Sequence, residues 1–539
     1  MKKLSVKHLN KSMLMIFAAV GVMAFSSCSD DNDNQKKSTT PDEQAYTTLS
    51  DAAISEFLAF AKNPRPGNTA AKHDNLDKAR DYLVNWAKQH NYDVHYDEHP
   101  NIWIDVPANN ASMRNFPTVI LQGHIDMICA SKSGETYDYT QVVGEPYYDG
   151  DLLKGSKVNL GADDGIGVGM ALAIASSDIA HGPLRLLFTA NEDYDMEGAI
   201  NLDPEVINSD YLICLDEEEI GKVSSGCLGS YIIDFDGILP SEIIDDNESF
   251  TGNDGNNVIQ FNLTGLPGGH SGVMIGQHIL SASTVTAKII KDVVTPAAGR
   301  ISYINCGTYA NAISDATTVE FIVESSKADY CISQIKSIME TYQTEYSDVA
   351  MKYSAEKVAN PTSSIVAAES ANATINKFFE EVKQGVIERD DINVPTKSSN
   401  IGTIYLLGDQ FMANAMFRSY FNEWLEEEKA RLLQVRTDLN MEGSTELQHV
   451  PAWSVEGGNS FRDTFLTYYK ENWSDAFSER AYGGLECAYF VKKRTTLKAI
   501  AVGPQLDGAH TIDEAVHVST IKPLMKSIVK MLQNMDKME

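Results

Sequence analysis

The sequence predicts an α/β protein: a mixed sheet flanked by helices, interrupted by an inserted α+β domain. Three observations carry this reading. Apolar runs over 119–126, 184–189 and 211–215, the first rich in β-branched residues, have the length and composition of buried strands. Amphipathic helical stretches precede and separate them. After Gly229 the pattern changes to alternating strands and long amphipathic helices, and the first pattern returns around Val450-Pro-Ala-Trp453. A chain of 539 residues is too long for one core, and about 150 residues per domain argues for two or three.

Residues 1–27 read as a lipoprotein leader, with lysines, an apolar segment over 13–25 too short to span a bilayer, and Ser26-Ser27 before Cys28. This resembles the lipobox of bacterial lipoproteins, which implies a lipid on Cys28, a membrane-tethered chain and a location in the bacterial cell envelope, on the periplasmic or surface face of the outer membrane. The polar stretch 28–44 then reads as a tether. Plain secretion is the alternative.

A helix is expected over 41–62, broken by Asn63-Pro-Arg-Pro-Gly67, and a second over 74–90. Short strands follow at 92–96 and 102–106, then the run ending in Gly123-His-Ile-Asp126. The side-chain period of a strand puts His124 and Asp126 on one face at the sheet rim, where α/β folds place chemistry. Leu160-Gly-Ala-Asp-Asp-Gly165 opens a small-residue helix, at whose start Asp163 and Asp164 are caps or ligands. The strand 184–189 runs into Asn191-Glu192-Asp193, and 211–215 into Asp216.

Beyond Gly229, strands are expected at 258–263, 300–309, 317–323, 349–353, 401–407 and 414–419, with helices over 273–294, 328–345, 364–386 and 420–439. The last part carries a helix over 460–473, strands near 485–490 and 497–502, the stretch Gly508-Ala-His-Thr-Ile-Asp-Glu514 and a closing helix. The domains expected are a catalytic domain in two parts, 45–229 and 448–539, and an inserted lid or dimerisation domain over 230–447.

A net charge of -31 argues against nucleic acid and anionic membrane as substrates. The cysteines after Cys28 show no paired spacing and are expected as buried thiols. Three strands in succession run out into carboxylates, with a fourth carboxylate pair between the first two. Gathering that much negative charge at one rim without cations raises the pKa values and destabilises the fold, and divalent metal ions remove the conflict.

With Gly123-His-Ile-Asp126, Gly161-Ala-Asp-Asp-Gly165, Glu192-Asp193, Asp216, Gly268-Gly-His-Ser-Gly272 and Gly508-Ala-His510 in this order, the chain resembles the aminoacyl-histidine dipeptidases, co-catalytic zinc metallopeptidases related to carnosinases, from about Phe57 to the C-terminal helix. The resemblance implies a zinc-exopeptidase-like catalytic domain with two Zn2+ per chain, Co2+ or Mn2+ being possible substitutes. It implies His124 and Asp216 on one metal, Asp193 and His510 on the other, and Asp163 bridging them. Glu192 would be the general base acting on a metal-bridging water, Asp126 would orient His124 from behind, and His270 would meet the oxyanion, in its own or a partner subunit's site of a homodimer. The function implied is hydrolysis of dipeptides or short peptides. A deacylase of N-acyl amino acids on the same scaffold is the alternative, and a non-catalytic surface peptide-binding lipoprotein is the alternative of another class. Four positions depart from the family pattern: Asp193 for glutamate, Asp164 for asparagine, Tyr482 for histidine, and Asn305-Cys306 for a glycine pair.

Overall fold

The strand Val119–His124 lies at the centre of an eight-stranded mixed sheet and is buried at every position. Its odd residues Val119 and Leu121 enter one apolar core and Ile120 enters another, so the unbroken apolar run is what a strand covered on both faces requires. The structure, a computed structural model, describes residues 41–67, 74–244, 250, 255–444, 449–454, 459–481 and 483–538. The leader, Cys28 and Tyr482 lie outside the described residues.

Across this sheet the order is Asp93–Tyr96, Ile102–Val106, Leu184–Thr189, Val119–His124, Tyr211–Cys214, Lys498–Ala501, Lys222–Cys227 and Phe477–Ala481. The four central strands, from Leu184–Thr189 to Lys498–Ala501, are mutually parallel. Helices Glu43–Phe60, Ala162–Ser176 and Ile521–Leu532 share the core on one face, and Cys487–Lys493 packs on the other. Gly123 admits the second of these helices, since a Cβ there would fall 2.2 Å from Asp164 Oδ2.

A second, antiparallel sheet begins two residues after Lys222–Cys227 ends. Its order is Lys352–Val358, Asn256–Thr264, Thr317–Glu324, Arg300–Cys306, Pro395–Leu407, Gln410–Ser419, Gly229–Ile238 and His449–Val450. In Gly229–Ile238 the buried residues Tyr231, Ile233 and Phe235 alternate with Asp234 and Asp236, so one face packs on helices Ala282–Ile289, Ser325–Glu345, Ala371–Glu381 and Asn422–Asp438.

Three local expectations change. The helix expected over 273–294 starts only at Ala282, because the stretch holding Gly272 and Gly276 folds into turns; a Cβ on Gly276 would lie 2.7 Å from Pro395. The helix expected over 364–386 divides into strand Ile365–Ala367, paired with Ser241–Ile243, and helix Ala371–Glu381. The strand expected near 485–490 is the helix Cys487–Lys493, a short apolar run whose length alone does not separate the two periods. A small sheet not expected at all pairs Leu506–Asp507 with Ala515–His517, Leu152–Ser156 and Glu145–Asp149. The six described cysteines are free thiols, and all but Cys129 are buried.

Candidate metal centre

Three adjacent parallel strands release their chains at the same end of the sheet, which is why residues far apart in sequence meet there. Val119–His124 ends on His124 itself. After Leu184–Thr189, Asn191 turns the chain in a left-handed conformation (φ 56°), so that Glu192 and Asp193 open a short helix over the rim. Tyr211–Cys214 leads into Asp216. Asp163 stands in the first turn of Ala162–Ser176, and His510 on the loop between Leu506–Asp507 and Ala515–His517.

The carboxylate of Asp163 lies between two imidazoles. Its Oδ1 is 3.0 Å from His124 Nε2, and its Oδ2 is 3.0 Å from His510 Nε2. Asp216 Oδ1 lies 3.6 Å from His124 Nε2, and Asp193 Oδ1 lies 2.6 Å from His510 Nε2. The donors therefore fall into two groups, His124–Asp163–Asp216 and Asp163–Asp193–His510, sharing Asp163. A third grouping, His124–Asp126–Asp193, is also compact. It is the poorer cage, because both Asp126 oxygens already accept backbone N–H groups, from Glu192 at 3.0 Å and Asp193 at 3.2 Å.

The donor chemistry fits divalent metal. Bonds of about 2.0–2.1 Å at tetrahedral angles separate neighbouring donors by about 3.3 Å, close to the spacings found. The electrostatics point the same way. Burial pushes Glu192, Asp193 and Asp216 above the usual carboxylate range. Hydrogen bonds to Asp163 and Asp193 hold the proton of His510 up to about 11. Metal ions would take the place of these protons.

Asp126 is fully buried, and its Oδ1 is 3.4 Å from His124 Nδ1. Asp164 acts as a helix cap, its Oδ1 accepting the Gly167 N–H at 3.1 Å. His270 is in none of these donor groups and lies on the two-residue strand Gly269–His270. Its Nδ1 accepts the Val273 N–H at 3.3 Å, and Arg418 lies 3.4 Å from its Nε2. Burial and the Arg418 charge lower its pKa to about 4, leaving the ring neutral at physiological pH. Sequence reasoning missed Glu486. Its buried Oε2 accepts Gln122 Nε2 and the Thr189 hydroxyl, each at 2.6 Å, tying together two of the strands that form the rim. The run Gly484-Leu-Glu-Cys487, part of the likeness to the dipeptidases, was the available signal, but it gave Glu486 no role.

No family model matches the chain. The cytosol non-specific dipeptidase of Escherichia coli strain K12 is 27% identical over 454 residues, spanning 83% of this chain and 90% of that protein. The crystal structure of aminoacylhistidine dipeptidase from Vibrio alginolyticus matches with a TM-score of 0.79 at 25% identity, covering 90% of this chain and 97% of that one. The expected envelope location is overturned by the first of these, a relative named for the cytosol; among the described residues no helix is long and apolar enough to cross a membrane. The leader and Cys28 lie outside the described residues, and the comparisons give no support to a signal peptide or a lipid anchor there. The likeness read from the spaced motifs extends through sequence and fold alike, and this chain is a relative of the aminoacyl-histidine dipeptidases.

Proposed function

We propose that the chain is a two-zinc dipeptidase that hydrolyses dipeptides or very short peptides. One observation carries the reading: the two oxygens of Asp163 each face a different imidazole at 3.0 Å, the arrangement a carboxylate needs to bridge two cations. His124 and Asp216 would hold one ion and Asp193 and His510 the other. Zinc there, or cobalt or manganese in its place, would supply a Lewis acid that polarises the scissile carbonyl and acidifies the attacking water.

The chain's own residues then move the proton. Burial and the neighbouring Asp193, Glu486 and Asp163 carboxylates strengthen Glu192 as a base; His124 opposes them. Glu192 takes the water's proton as the water attacks the carbonyl carbon, and returns it to the leaving amine as the C–N bond breaks. Asp126 holds the start of the Glu192–Asp193 turn through two backbone hydrogen bonds. His270 would face the oxyanion together with the Arg418 guanidinium, which lies 3.4 Å from its Nε2 and carries donors of its own. Its place on the inserted domain, outside the donor groups, supports a homodimer in which it serves the partner subunit's site. The named relatives favour dipeptide hydrolysis over deacylation or peptide binding without turnover.

A panel of dipeptides with free and blocked termini, tested on zinc-loaded protein before and after chelation, checks the proposal. Chelator-sensitive cleavage of free dipeptides is expected. Cleavage of N-acyl amino acids alone, or no turnover with metal bound, overturns it.

A further inference from the structure

Two buried residues of opposite charge grip one peptide unit from its two ends. Glu514 is 1% exposed, and its Oε2 accepts the Gly161 N–H at 2.7 Å. Its Oε1 accepts the N–H groups of Ala162 at 3.0 Å and Asp163 at 3.3 Å. From the other side Arg65, fully buried over the Phe60 ring, donates from Nη2 to the Gly161 carbonyl. Its Nη1 donates to the carbonyls of Ile125 at 3.2 Å and Asp126 at 2.7 Å.

These contacts join the segments that carry the metal donors. Arg65 ties the loop after His124 to the loop before Asp163. Glu514 ties that same loop to the His510 turn, which is closed by the Glu514 N–H on the Thr511 carbonyl at 3.2 Å. Gly161 fits the grip in two ways: its φ is 68°, and a Cβ would fall 2.5 Å from Arg65 Nη2.

Resting on the reading that Asp163 and His510 hold metal, we infer that Arg65 and Glu514 are positioning residues, a clamp that sets the shared carboxylate against the His124 and His510 loops. The chemistry supports a paired device. Three N–H donors meet the buried anion and three carbonyls meet the buried cation, whose Nε has no partner among the described residues. The Glu514 charge helps to hold Arg65 ionised, and removing either residue leaves the other as a buried charge without its counter-charge. The loop between them then loses the restraint that fixes the Asp163 carboxylate. Neither residue touches the metal donors' side chains, and both act through backbone.

The test uses the full chain, stripped of metal and titrated with Zn2+ against a chromophoric chelator, with Co2+ absorption as a second readout of donor geometry. Glu514→Gln keeps the volume but turns an amide against N–H donors. Arg65→Lys keeps the charge but replaces the planar two-nitrogen fork by a single ammonium centre. In both, zinc affinity should fall by about 10–100-fold, the range for outer groups that orient ligands, and the Co2+ bands should shift. Glu514→Asp should recover part of the loss seen in Glu514→Gln. Wild-type affinity and spectrum in whichever variant folds, with only the melting temperature lowered, overturn the clamp. A wild-type chain that takes up no zinc overturns the metallopeptidase reading itself, and the clamp with it.

Discussion

Asp126 Oδ1 accepts the backbone N–H of Glu192 at 3.0 Å, so the carboxylate behind His124 also anchors the turn that carries the proposed base. Its other oxygen accepts from Asp193 N–H at 3.2 Å. Asp126→Asn turns an amide donor toward one of these N–H groups. Because one buried group holds His124, Asp193 and Glu192 together, the two proposed ligands and the proposed base, turnover should fall by about 10–100-fold, with weaker zinc binding alongside. Steady-state rates and chelator competition check this. A variant that keeps wild-type values of both would leave Asp126 as packing alone.

Glu192→Gln preserves shape but cannot accept a proton. Turnover on a dipeptide should drop by at least roughly 100-fold, while zinc content stays at the wild-type level. Retained turnover would take Glu192 out of the mechanism, and lost zinc would recast it as a ligand.

Asp193 accepts the Ile128 N–H through Oδ2 at 3.1 Å and faces His510 through Oδ1 at 2.6 Å. Asparagine can keep the first contact but brings no charge to the second. Metal content of Asp193→Asn should drop from about two ions per chain to about one, since the His124–Asp163–Asp216 group is left intact. Equal content in the two proteins would show that the site does not need this carboxylate.

Much of the rim was legible because periodicity and chain order carry it. Apolar runs ending in His124, Glu192-Asp193 and Asp216 announce strand ends, and parallel neighbours bring such ends together. His510 needed the family likeness, because the small sheet that presents it is built from short strands with no apolar run. Arg65, Glu514 and Glu486 were not legible as site residues. Each is one polar residue whose partners are distant backbone atoms or buried side chains, and no period in the sequence records such contacts. The helix expected over 364–386 failed for a related reason, since the pairing of Ile365–Ala367 with Ser241–Ile243 is decided between segments and not within one.

His270 and Arg418 sit together on the inserted domain, 3.4 Å apart at their nearest nitrogens. If His270 serves the partner's site, His270→Ala and Glu192→Gln spoil different halves of each composite site in a symmetric dimer. Mixing the two inactive proteins under exchange should recover up to about a quarter of wild-type activity, because a hybrid dimer holds one intact site. No recovery despite demonstrated subunit exchange would confine His270 to its own chain.

Glu486, buried beneath the rim beside His124, gives a pH test. Burial, reinforced by the Asp126 charge and opposed by the Thr189 and Gln122 hydrogen bonds and by His124, raises its pKa from 4.5 to about 7 in the fold. The folded state therefore binds the proton more tightly than the unfolded chain. The stability this contributes is fully present below pH 4.5 and is lost as pH rises through about 7. A tenfold difference in proton affinity between the two states is worth about 1.4 kcal/mol, so the loss is large enough to move a melting temperature. Glu486→Gln can keep an acceptor toward Gln122 and Thr189 but has no proton to lose. In metal-free protein the variant should melt at or slightly below the wild type near pH 5 and clearly above it near pH 8, the gap opening between the two pKa values. A gap that stays constant across that range would mean the carboxyl is ionised in the fold at both ends, and that its charge is compensated by more than the two hydrogen bonds it accepts.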